Sequence, residues 1–149
     1  MQELYAKTPD DLKAVAAILA QEVFGRVAPK EASVIGLYGD LGSGKTTFVK
    51  SIAESLGVVE PVVSPTFIIE RVYAMDHPRF ARFIHIDAYR LRDSDELLSL
   101  GWEEISKDPK NLIFIEWADR IEAALPYDAI KMYFEGVDER TRKIRIVNP

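Results

Sequence analysis

One run of eight residues constrains this chain more than anything else in it. Gly39-Asp40-Leu41-Gly42-Ser43-Gly44-Lys45-Thr46 matches G-x-x-x-x-G-K-S/T without a gap. Gly39, Gly42 and Gly44 permit a tight turn whose successive backbone N–H groups point inward as a nest for an anion. A helix beginning at the end of that turn adds the positive end of its dipole. Lys45 then reaches the β- and γ-phosphates of a nucleotide as a point charge, and the Thr46 hydroxyl is a ligand for Mg²⁺. By chance, such a match arises on the order of once in a few hundred chains of this size.

The flanks agree with the motif. Ser33 to Tyr38 holds Val34, Ile35 and Leu37 with no room for alternating polar positions, as in a strand buried on both faces. From about Gly44 to Leu56, residues Phe48, Val49, Ile52, Ala53 and Leu56 recur at helical spacing, and Gly57 is a stop signal. Strand, glycine loop and helix therefore follow in the order that phosphate binding requires. Thr47 either assists at the α-phosphate or is a solvent-facing or capping threonine.

Elsewhere, Gln2 to Lys7 reads as an edge strand. Thr8-Pro9-Asp10-Asp11 reads as a helix start, with Leu12, Val15, Ala16, Leu19 and Val23 on one helical face. The pattern predicts strands over Thr66–Tyr73, Arg82–Tyr89 and Leu112–Ile115. It predicts short helices from Asp93 to near Gly101 and from Asp119 to Leu125, which Pro126 stops. Ile130, Met132 and Phe134, then Ile144 and Ile146, mark two strands joined as a hairpin through Gly136–Arg140. No repeat or linker breaks the sequence. The expectation is one α/β domain over 1–149, with a largely parallel central sheet and antiparallel strands at its edges.

Composition narrows the chemistry. With no cysteine, the chain has no disulfide, thiolate metal site or cysteine nucleophile, and its two histidines, His77 and His85, make poor material for a zinc site. The longest apolar run, Ala14 to Ala20, falls far short of the roughly 18 residues of a membrane span. The opening residues do not resemble a signal peptide, so a cytoplasmic protein is expected. A net charge of −5 argues against a long nucleic-acid groove but not against a small anion site.

A phosphate-loop enzyme usually takes a second carboxylate from a neighbouring strand end to hold Mg²⁺ directly or through water. Two acids compete. Glu116 ends the apolar run Leu112-Ile113-Phe114-Ile115, where a carboxylate needs a partner or a metal. Asp87 follows Phe83-Ile84-His85-Ile86, with His85, Asp87 and Tyr89 on one strand face and Ile84, Ile86 and Ala88 on the other. A site-facing strand shows that alternation, and so does a merely half-exposed one. Periodicity does not divide the roles between the two acids.

Taken together, the phosphate loop with Thr47-Phe48, then Ser64-Pro65-Thr66-Phe67, His85-Ile86-Asp87-Ala88-Tyr89-Arg90 and Ile115-Glu116-Trp117, resembles the bacterial TsaE (YjeE) family of P-loop ATPases. The likeness runs from the first helix to the last strand. It implies a P-loop NTPase-like three-layer sandwich that binds and hydrolyses ATP with Mg²⁺, in the formation of threonylcarbamoyladenosine (t6A) on tRNA. By that resemblance Gly39 to Thr47 hold the nucleotide, and Thr46 and Glu116 hold Mg²⁺. Lys45 works on the phosphates, and Asp87 positions or activates water. Ser64-Pro65-Thr66 would be a nucleotide-sensing switch, and Trp117 would pack beside the site. The implied partners are TsaD and TsaB, whose complex this ATPase would bind and reset, with tRNA met only indirectly.

Many relatives carry proline after I-E-W, where this chain has Ala118-Asp119. Arg120 is either a charge stabiliser or a surface arginine, and Arg90 to Lys110 is either a partner surface or a solvated cover. Slow intrinsic turnover is expected, since no arginine is obviously placed as a finger. The competing function is a small-molecule kinase, with Arg90, Arg92 and Arg120 on a lid. A third is a nucleotide-gated binding module with negligible catalysis. A GTPase is disfavoured because no N-K-x-D motif follows the strands.

Overall fold

The computed structural model describes residues 2–40, 42–62 and 69–149. Leu41 of the glycine loop, the Ser64-Pro65-Thr66-Phe67 segment and the first part of the strand expected from Thr66 lie outside the described residues.

Among the described residues the strands are β1 (Gln2–Ala6), β2 (Ser33–Tyr38), β3 (Glu70–Ala74), β4 (Arg82–Asp87), β5 (Asn111–Glu116), β6 (Ile130–Gly136) and β7 (Arg142–Val147). The helices are α1 (Pro9–Phe24), α2 (Lys45–Ser55), α3 (Ser94–Leu98) and α4 (Trp102–Ile105). Two 3-10 helices, Ala88–Arg90 and Ala118–Ala124, follow β4 and β5 directly. The strands form one sheet in the order β1-β7-β6-β2-β5-β4-β3. Its centre, β6-β2-β5-β4, is parallel, and β7, β1 and β3 join antiparallel at the two sides. The fold is thus mixed α/β, with β6 and β7 joined as the expected hairpin and β1 outside it at the sheet edge.

Each face of the sheet carries its own core. On one side Val15, Leu19 and Val23 of α1 and Phe48, Val49 and Ile52 of α2 pack against Ile35, Leu37, Phe83, Phe114, Met132 and Ile144. On the other, Val34, Ile84, Ile86, Ile113 and Ile115 are covered by Leu97, Trp102, Ala118 and Ile121. Strands covered on both faces have no position left for an alternating polar residue, which explains the continuous apolar runs of β2 and β5.

The first helix begins where expected, through a reciprocal cap. The Thr8 hydroxyl accepts the Asp11 N–H at 3.1 Å, while the Asp11 carboxylate accepts the N–H groups of Thr8 at 3.1 Å and Lys7 at 2.7 Å. Those two backbone donors hold the Asp11 carboxyl below its ordinary value of 3.8.

Three expectations need correction. The strand placed over Arg82–Tyr89 stops at Asp87, because the Asp87 carboxylate accepts the Tyr89 N–H at 3.0 Å and turns the chain into a 3-10 helix. Tyr89 therefore does not share the strand face of His85 and Asp87. The helix expected to run to near Gly101 ends at Leu98. Gly101, in the left-handed region at φ 80°, starts the further helix α4. Finally, Asp119–Leu125 is no α-helix: Ala118–Ala124 is 3-10, with non-helical backbone at Ile121.

Candidate functional site

The carboxyl ends of β2, β4 and β5 lie side by side, and the glycine loop leaves β2 there. The parallel register sets Leu37 opposite Glu116 and Asp87 opposite Glu116, so the three strand ends are level. Below them opens a cavity of about 310 Å³, lined by Gly42, Ser43, Gly44, Lys45, Thr46, Thr47, Asp87, Tyr89, Glu116 and Trp117. Crevices at strand carboxyl ends are where open α/β sheets receive ligands.

Two glycines of the loop are required by geometry. Gly39 has φ 145°, and a Cβ there would lie 2.5 Å from the Phe134 carbonyl oxygen on β6. Gly44, at φ 102°, is the left-handed residue that starts α2. The loop turn closes with the Ser43 N–H donating to the Asp40 carbonyl at 3.1 Å. Arg142 on β7 donates to the Gly42 carbonyl at 3.2 Å and ties the loop to the β6–β7 hairpin. The Ser43 hydroxyl is buried and has no hydrogen-bond partner among the described residues.

Lys45 is buried at the start of α2. Its ammonium donates to the carbonyls of Gly39 and Asp40 and sits 3.9 Å from the centre of the Trp117 ring. Burial pushes this ammonium below its usual value, against the pull of Glu116, Asp119, Asp40 and Asp87. Trp117 reaches that position because the chain reverses sharply after β5. Its backbone is left-handed, φ 57° and ψ 44°, a conformation that costs a non-glycine residue roughly 1–2 kcal/mol. Tyr89 packs on Trp117 in a tilted pair, 5.1 Å between ring centres, and the Arg120 guanidinium lies 5.5 Å from the Tyr89 ring.

Both candidate acids face this space, and both are buried. Glu116 accepts the Thr46 hydroxyl at 2.7 Å and lies 2.5 Å from His85 Nε2. The half-exposed alternative for β4 is thereby excluded, since His85 is fully buried and Asp87 nearly so. Asp87 keeps one oxygen on the Tyr89 N–H. Thr47 is exposed, at the rim. Of the described residues expected at the site, Gly42 to Thr47, Asp87 and Glu116 line this cavity; Gly39 and Asp40 do not, but their carbonyls accept the Lys45 ammonium. Sequence reasoning assigned nothing to His85 or Arg142, whose contacts reach across 31 and 100 positions.

Fold and site together define a mixed α/β protein with a glycine-rich loop at the carboxyl end of a central strand. The family described as "Threonylcarbamoyl adenosine biosynthesis protein TsaE" matches residues 6–144, and the chain belongs to that family. It is 36% identical over 144 residues to the tRNA threonylcarbamoyladenosine biosynthesis protein TsaE of Bacillus subtilis, covering 94% of this chain and 84% of the relative. The protein of the same name from Aquifex aeolicus is 35% identical over 148 residues, covering 98% and 96%. The crystal structure of Bacillus subtilis YdiB superposes with a TM-score of 0.69 at 27% identity, covering 99% of this chain and 84% of that one. Among the described residues no helix is long and apolar enough to cross a membrane.

Proposed function

We propose that this chain is a single-domain, cytoplasmic P-loop ATPase with the three-layer NTPase architecture, and that it supports t6A formation on tRNA by binding and resetting a TsaD–TsaB complex. The observation that carries the reading is the convergence of the glycine loop, Lys45, Thr46, Asp87 and Glu116 on one cavity at the strand ends. Family membership supplies the biological setting.

The residues fit the ligands. An orphaned Ser43 hydroxyl beside a glycine turn, with the N-terminus of α2 behind it, is suited to phosphate oxygens. Thr46 and Glu116 offer hard oxygen donors already in contact, and no group of three or more His, Cys, Asp or Glu could hold a metal among the described residues. Mg²⁺ needs no more than one or two such side chains, since phosphates and water complete its shell. When bound, it would neutralise charge on the phosphates. Gly39 to Thr47 grip the nucleotide through backbone N–H groups. Lys45, released from the Gly39 and Asp40 carbonyls, neutralises the phosphate oxygens. Asp87 orients the attacking water from the opposite strand end, and burial of these groups strengthens each interaction.

Hydrolysis of ATP is measured with the chain alone and with TsaD and TsaB, together with co-elution in ATP. Slow release of phosphate alone, stimulated in a complex that co-elutes, is expected. No stimulation and no co-elution would overturn the regulatory-subunit reading. Phosphate transfer that requires a small-molecule acceptor would point to a kinase.

A further inference from the structure

Glu116 is held from both sides. Oε1 accepts the Thr46 hydroxyl at 2.7 Å, and Oε2 faces His85 Nε2 at 2.5 Å. As a cation ligand Glu116 would be a carboxylate that only accepts, so Nε2 would then carry the hydrogen and donate it. The other ring nitrogen, Nδ1, is buried with no hydrogen-bond partner among the described residues. His85 sits on β4 between Ile84 and Ile86, and behind it on the same face Phe83 stacks on Phe114 at 5.0 Å between ring centres. In such surroundings an imidazole with one unsatisfied nitrogen is less favourable than an aliphatic side chain. Among the described residues the one hydrogen bond of its ring goes to Glu116.

The strand register explains why it sits behind the site and not in it. Asp87 pairs with Glu116 and His85 with Phe114, so His85 lies two residues back from the strand ends on the Asp87 face. Asp87 and Glu116 line the cavity; His85 does not. It can touch a ligand only through Glu116.

We propose that His85 is a positioning residue that fixes the Glu116 carboxylate, keeping Oε1 toward Thr46, and thereby sets the affinity of the Thr46–Glu116 pair for a divalent cation bound with nucleotide. The inference rests on the reading of that pair as the metal-holding residues. Carboxylates that bind metals are themselves hydrogen-bonded, and loss of such a supporting partner typically lowers metal affinity by about 10–100-fold.

The test is titration of Mn²⁺, followed by its paramagnetic resonance, into the native chain, His85→Leu and His85→Gln, each saturated with ADP. His85→Leu, which cannot donate, is expected to bind Mn²⁺ at least about tenfold more weakly, with ADP affinity in a chelator unchanged. Gln keeps an N–H donor and is expected to restore most of the loss. A folded His85→Leu that binds Mn²⁺ like the native chain would overturn the inference. So would a loss that His85→Gln shares in full. Should His85→Leu not fold, the nitrogen spectrum of the native chain decides, with only His77 and His85 to assign. A hydrogen on His85 Nε2 supports the proposal, and one on Nδ1 with a bare Nε2 overturns it. Failure of the native ADP complex itself to take Mn²⁺ would instead remove the metal reading on which the proposal rests.

Discussion

The Lys45 ammonium lies 3.9 Å from the centre of the Trp117 ring, with the Gly39 and Asp40 carbonyls as its hydrogen-bond acceptors. An amine held by carbonyl dipoles and a π-face is poised to move to a stronger anion. Phosphate oxygens provide one, and the move would uncover the ring. Binding of ADP is therefore expected to change Trp117 fluorescence. The chain has one other tryptophan, Trp102, buried in the core formed with Leu97 and Ile121. In a Trp102→Phe background the change should persist and saturate with ADP, whereas adenosine should leave it flat. An equal response to adenosine would contradict the movement of Lys45.

Asp87 and Glu116 sit level on neighbouring parallel strands, yet they are expected to behave differently when altered. Asp87→Asn keeps an acceptor for the Tyr89 N–H, so the turn into the 3-10 helix survives. Loss of the carboxylate should reduce turnover by roughly 100-fold or more, the scale of a lost positioned base. ADP affinity should stay within a few-fold. Steady-state hydrolysis combined with a binding titration separates the two, and equal losses in both would count against a water-orienting role.

Much of this site was readable before any fold was known, because its parts are consecutive. The glycine loop, Lys45 and Thr46 occupy one stretch, and Glu116 stands out as a charge ending an apolar strand. What was not readable depends on register. The His85 and Arg142 contacts exist only because β4 lies beside β5 and because β7 brings Arg142 to the Gly42 carbonyl. Tyr89 was misplaced for a local reason: alternation continues through it, while a side-chain cap from Asp87 ends the strand two residues earlier. The helix from Asp93 ends at Leu98, and the helix that Gly101 starts, Trp102–Ile105, is too short to leave a periodic signal.

Gly39 supplies a stability prediction with a steric cause. Gly39→Ala would place a methyl group 2.5 Å from the Phe134 carbonyl oxygen at φ 145°, so backbone must shift. Strained backbone of this kind costs on the order of 1–3 kcal/mol. Denaturant unfolding should show that loss, and ADP affinity should fall with it as the loop is displaced. An unchanged unfolding midpoint would contradict the close approach of loop and β6.

The cap of α1 predicts a pH dependence of stability. The Lys7 and Thr8 N–H groups lower the Asp11 carboxyl from 3.8 in the folded chain. The unfolded state therefore binds the proton more readily, and the contribution is present above pH 3.8 and disappears as pH falls through the depressed folded value. Thermal midpoints of the native chain and Asp11→Asn should differ at neutral pH and converge in acid. A difference that stays constant across that range would refute the assignment.

The central claim is that one loop, with Lys45 at its end, binds a nucleotide by its phosphates. Calorimetric titration of ADP and of adenosine into the native chain and Lys45→Ala tests it most directly. The account predicts saturable one-to-one binding of ADP to the native chain, with adenosine binding far more weakly and Lys45→Ala losing most of the ADP affinity. Adenosine binding as tightly as ADP, or a folded Lys45→Ala that binds ADP like the native chain, would contradict it.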